Sequence, residues 1–123
     1  MEGIISERSI RLRKCKQGEA YMDIHNHNLN IHYSIPENLW NELVEMFAQL
    51  PHYRGFSDGC PQWYGCDGKL IEASLETSGL QFYAELPQEE WDAWFAQFQR
   101  RAEKILGYPI GEPEDGYEFR IYD

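Results

Sequence analysis

Positive charge is scarce in this chain. Against 21 Asp and Glu it carries 11 Lys and Arg, a formal net charge of −10 with His neutral. The shortage is uneven: residues 1–19 sum to +2, which leaves −12 on residues 20–123. Phosphate backbones and anionic lipid surfaces are bound through clustered cations, so this acidic body argues against a nucleic-acid binder or a membrane-surface protein. Cysteine is sparse too. Cys15, Cys60 and Cys66 are odd in number and show no CxxC spacing, which disfavours a disulfide framework or a tetrathiolate zinc site. Free thiols in a reducing cytosol are the expectation. No apolar run approaches the ~18 residues a spanning helix needs, and residues 1–18 are polar and charged, so neither a membrane helix nor a secretory leader is expected and the chain is placed in the cytoplasm.

Several motifs of covalent chemistry are missing as well. There is no Walker loop, no Gly-x-Gly-x-x-Gly and no His-Glu-x-x-His. Cys60 and Cys66 lie near His52 in sequence, but acidic surroundings disfavour the thiolate that a cysteine nucleophile requires. No cofactor is expected.

What the chain does have is apolar content: hydrophobic residues make up 42% and aromatics 15%. That is too much for an acidic disordered chain, which lacks the apolar area to offset conformational entropy. At 123 residues, one domain with one core is expected, burying about two thirds of the surface the unfolded chain exposes.

An internal similarity organises the reading. Leu29-Asn-Ile-His-Tyr-Ser-Ile-Pro36-Glu-Asn-Leu-Trp40 aligns with Leu80-Gln-Phe-Tyr-Ala-Glu-Leu-Pro87-Gln-Glu-Glu-Trp91, and the same offset pairs Phe47 with Phe98. In the first unit, about 20–50, Ala20, Met22 and Ile24 alternate with polar residues. His27-Asn28 can then turn, and Leu29, Ile31, Tyr33 and Ile35 alternate again. The second unit, 71–106, repeats this with Ile71, Ala73 and Leu75, a Ser78-Gly79 turn, and Leu80, Phe82, Ala84 and Leu86. Period-2 alternation around a two-residue turn predicts a hairpin in each, with Ile24 facing Ile31 and Leu75 facing Phe82. Pro36 and Pro87 stand where helices can start. Trp40, Leu43, Val44 and Phe47, and then Trp91, Trp94, Phe95, Phe98, Ala102 and Ile105, form apolar stripes at helical spacing. Gly107 with Pro109 closes the second helix.

A strand over Arg8–Lys16 before the units and another with Tyr117, Phe119 and Ile121 inward after them complete β(ββα)(ββα)β. The expected class is α+β: a mostly antiparallel sheet with two helices on one face.

Between the units, Pro51 to Lys69 contains four glycines and the aromatics Tyr53, Phe56, Trp63 and Tyr64. A loop of that length is usually functional, and aromatics dominate interface energetics. The candidate binding residues are Trp63, Tyr64, Tyr53, Phe56, Asp58 and Asp67. A weaker candidate is a metal site: in the expected register Asp23 faces His32 and His25 faces Asn30, which gathers Asp23, His25 and His32 on the polar sheet face. Glu72, Glu76 and Glu85 share that face.

The expected function is a non-enzymatic, acidic protein-binding domain, an immunity- or inhibitor-type partner of a basic protein. The alternatives are a small-molecule- or metal-binding domain, in which case an enzyme is conceivable, and a structural homodimer.

Overall fold

Helix starts are where the aligned segments agree best. In the computed structural model, which describes residues 22–122, Pro36 precedes helix α1 (Glu37–Phe47) and Pro87 precedes helix α2 (Gln88–Leu106), each as the N-cap in extended backbone. Their carbonyls accept from the backbone N–H of Trp40 and of Trp91, both at 3.0 Å. Proline suits this place because a helix-start N–H has no intrahelical acceptor to lose. Helix α2 stops at Gly107, whose φ of 84° is the left-handed cap conformation and whose N–H donates to Glu103 O at 2.8 Å.

Among the described residues five strands form one antiparallel sheet: β1 (Asp23–Leu29), β2 (Tyr53–Ser57), β3 (Cys60–Tyr64), β4 (Leu70–Glu76) and β5 (Gly79–Leu86), in the order β1-β5-β4-β3-β2. Strands β2 to β5 run as a meander that returns to β1, and α1 carries the chain from β1 to the far edge. The class is therefore α+β with an antiparallel sheet. One row of the sheet reads His25, Ala84, Ile71 and Trp63 across β1, β5, β4 and β3, and the next includes His27, Phe82 and Ala73. These residues face the helices, where Phe82 meets Trp94 and Phe98, and Phe47 of α1 meets both Trp63 and Phe98. Both helices thus cover the same face. Trp91 is buried, while Trp40 is half-buried with its ring edge-on to Phe47.

Several local expectations are corrected. No hairpin turns at His27-Asn28: β1 runs straight through both residues and pairs with β5, and past its end Ile31 accepts from the Leu80 N–H at 3.1 Å and forms a parallel bridge to Arg120. Beyond that bridge the Tyr117–Ile121 segment forms no strand, and Ile121 is exposed. The expected strand Arg8–Lys16, along with Cys15 and Ala20, lies outside the described residues.

The β4–β5 hairpin exists with a different register: Glu76 faces Gly79, so Leu75 meets Leu80 and Ala73 meets Phe82. Gly79 is required at its place. Its φ is 131°, and a Cβ there would sit 2.4 Å from the Leu29 carbonyl oxygen, so only glycine lets β1 end this close to the turn.

The 51–69 segment is not a loop but a hairpin and a second turn. Asp58-Gly59 (φ 54° and 82°) joins β2 to β3, and Asp67-Gly68 (φ 60° and 79°) lies between β3 and β4, with Lys69 N–H on Cys66 O at 3.0 Å. Positive φ at both central residues is the hairpin turn that Asp-Gly favours. Cys60 is a free thiol, whereas Cys66 is disulfide-bonded, so the expectation of free thiols holds for Cys60 and not for Cys66. No helix among the described residues is long and apolar enough to cross a membrane.

Candidate functional site

The six residues proposed from the 51–69 segment are not brought together. Trp63 is 0% exposed. Its indole N–H donates to Phe47 O at 3.0 Å, and its ring packs on Phe47, Phe82 and Trp94. It clamps β3 beneath α1 and presents nothing to a partner. Tyr53 leans on it from β2.

Tyr64, next to Trp63 at the C-terminal end of β3, stacks on His52 at 4.2 Å with its hydroxyl 3.5 Å from Glu90 Oε2. Burial pushes its phenol up to about 12, and the neighbouring Glu90 carboxylate adds to the rise. Tyr53, Tyr64 and Asp67 line a cavity of about 390 Å³ in which Lys69 and Glu90 form a 2.8 Å ion pair. Phe56 and Asp58 stand apart at the exposed tip of the β2–β3 hairpin.

Nor do Asp23, His25 and His32 assemble. Strand β1 presents its odd-numbered residues to the helices and its even-numbered ones outward, which leaves Ile24 67% exposed. The alternation of Ala20, Met22 and Ile24 suggested the opposite face, but pairing with β5 decides the matter by placing His25 and His27 level with Ala84 and Phe82. Asp23 Oδ2 accepts from the Gln88 N–H at 3.0 Å, satisfying a free donor at the start of α2 where the helix dipole favours a carboxylate. His32 lies beyond β1, its Nδ1 held by the hydroxyl and N–H of Ser34. Among the described residues no group of three or more His, Cys, Asp or Glu could hold a metal ion.

A different constellation forms where β1, α2 and the 111–117 segment meet. The His25 ring lies flat on Trp91 at 5.2 Å, and its Nε2 is 3.0 Å from Leu86 O. A carbonyl can only accept, so that nitrogen carries the hydrogen. His27 stacks over both Trp91, at 5.2 Å and 8° from parallel, and Phe95, at 5.7 Å. Its Nδ1 lies 3.2 Å from Glu112 Oε2.

Glu112 is placed by Asn30, which is fully buried. The Asn30 amide donates to Pro109 O (2.9 Å) and Glu118 O (2.8 Å) and accepts from the Gly111 N–H (2.9 Å). Its backbone N–H donates to Gly111 O at 3.0 Å, and its carbonyl accepts from the Tyr108 hydroxyl at 3.3 Å. One side chain thereby staples the C-terminal segment to the end of β1.

The groove so walled has a volume of about 480 Å³. Its floor is Trp91 and Phe95, Tyr117 lines the C-terminal side, and Asp92, Glu112 and Asp115 are its carboxylates. Asp92 is held through Oδ1 by the Gln88 amide at 2.9 Å. No Ser, Thr, Cys, Lys or Arg lines it among the described residues, so it supplies aromatic surface, imidazoles and carboxylate acceptors.

Sequence reasoning missed His27, Asp92 and Glu112. The only local signal was the i, i+2 spacing of His25 and His27, which puts both on one strand face. Comparison with protein-family models, curated proteins and solved structures yields no match to this chain.

Proposed function

We propose that this chain is a non-enzymatic, acidic protein-binding domain that acts as an immunity- or inhibitor-type partner of a basic protein. The observation that carries the reading is the charge balance, −10 over the chain and −12 after residue 19, together with a groove whose described lining holds three carboxylates and no Lys or Arg. Such a field accelerates encounter with a cationic partner and rejects anionic ones.

Affinity capture from the source cell tests the proposal. The captured protein should be basic, and its association rate should fall about tenfold or more from low to physiological salt, where the Debye length shrinks to about 8 Å. An acidic partner, or association indifferent to salt, would refute it. A cytoplasmic location is part of the same reading, and the Cys66 disulfide runs against it, because disulfides are rare in a reducing cytosol. A reduced Cys66 in protein drawn from the cell would support that location and an oxidised one would refute it.

A further inference from the structure

We infer that the groove between β1, α2 and the 111–117 segment is the anchor point of that interface and receives an arginine side chain of the basic partner. The inference rests on the reading above and locates it.

Local charge balance singles this groove out. The cavity at Tyr64 contains Lys69 already paired to Glu90. The one between the helices sets Glu42 and Glu45 against Arg100, Arg101 and Lys104. The one beside Tyr108 holds Arg120, whose guanidinium lies 4.5 Å above the Tyr108 ring. Each of these carries its own cation. The groove gathers Asp92, Glu112 and Asp115 with no Lys or Arg among its described lining residues.

Aromatic surface adds what an acidic patch alone lacks. Phe95 and Tyr117, both half-buried, offer ring surface in the same cavity as the carboxylates, over a Trp91 that is 3% exposed and covered by the imidazoles of His25 and His27. A guanidinium matches this pairing: it is planar and weakly hydrated, it stacks on aromatic faces, and its fork of donors engages carboxylates two bonds at a time. The compact, strongly hydrated ammonium of lysine gains less from such a wall. Orientation is supplied in advance, since Glu112 is aimed by His27 and Asp92 by Gln88. A volume of about 480 Å³ falls within the range of ligand pockets, enough to accept the side chain together with part of its backbone.

The test uses a decapeptide of alternating glycine and arginine, its lysine counterpart and its neutral citrulline counterpart, titrated calorimetrically at low salt into the full chain. The arginine peptide should bind most tightly and the citrulline peptide should not bind. The Asp92→Asn/Asp115→Asn double variant, which keeps an acceptor for Gln88, should weaken the arginine peptide about tenfold or more. A Glu42→Gln/Glu45→Gln control on α1 removes the same charge and should change it less than about twofold if the groove rather than the general field is responsible. Thermal melts verify that both variants fold. Equal losses in the two variants would overturn the groove assignment and leave the basic-partner reading standing. A lysine peptide that binds as tightly as the arginine peptide would overturn the guanidinium preference. Failure of both cationic peptides to bind would sink the groove and the reading together.

Discussion

Replacing Asn30 should release the C-terminal segment from the sheet. Its side chain makes three hydrogen bonds to backbone, and the Gly111 N–H it accepts belongs to a buried residue, whereas Pro109 and Glu118 are exposed. In Asn30→Ala the two carbonyls can turn to water, but the Gly111 N–H is orphaned. With net contributions of about 1 kcal/mol per bond, and about 1–3 kcal/mol for a buried group left unsatisfied, the expected cost is about 3 kcal/mol. Denaturant unfolding gives the magnitude, and hydrogen exchange gives the place. The Gly111 amide should lose protection by a larger factor than Leu80, which lies inside β5.

Asn30→Asp separates geometry from volume. It keeps the acceptor for Gly111 but sets an oxygen where the amide donated to two carbonyls. Burial and those carbonyls disfavour the carboxylate, raising the folded-state pKa above the unfolded one. The residue's contribution is therefore fully present below the unfolded pKa and lost as pH rises through the folded value. This variant should be closest to wild type in acid and fall away toward neutral pH. A cost below ~1 kcal/mol for Asn30→Ala, with Gly111 protection unchanged, would refute the role assigned to Asn30.

Three further outcomes follow from the packing. Trp63→Ala should cost about 3–5 kcal/mol in denaturant unfolding, as large buried truncations do, and near-wild-type stability would mean that the indole is not the clamp described. Gly79→Ala should cost about 1–3 kcal/mol for its backbone conformation alone, with the approach to Leu29 O added, and an unchanged unfolding midpoint would contradict the β1–β5 register. Tyr64, raised to about 12, should ionise late in an ultraviolet titration. Its contribution to stability is complete below the ordinary tyrosine pKa of about 10 and is lost as pH climbs through the folded value. Glu90→Gln should bring the titration down, and an unmoved midpoint would remove Glu90 as a cause.

Much of this architecture was readable residue by residue. Pro36 and Pro87, the helical stripes behind them, and Gly107 marked both helices, because those signals are local. The alternation of Ile71 to Leu86 marked the β4–β5 hairpin and its inward face, although its register depended on how closely Gly79 approaches Leu29, a contact with a distant strand. Asp58-Gly59 and Asp67-Gly68 are strong turn signals that the surrounding glycines and aromatics obscured, and they resolve the long segment into strands. Strand β1 misled for a physical reason: stacking on Trp91 and Phe95 lets two imidazoles occupy inward positions that a polarity pattern assigns to solvent. The groove itself joins residues 25, 27, 92 and 112, and no local periodicity reports such a juxtaposition.

Mapping the arginine–glycine peptide by backbone amide chemical shifts bears most directly on the central claim that a cation-seeking groove, not the 51–69 segment, is the binding surface. Perturbations should concentrate on residues 24–27, 88–99 and 111–117, with the Trp91 indole N–H among them. Shifts centred on Phe56, Asp58 and Asp67, or spread evenly over the acidic surface, would contradict it.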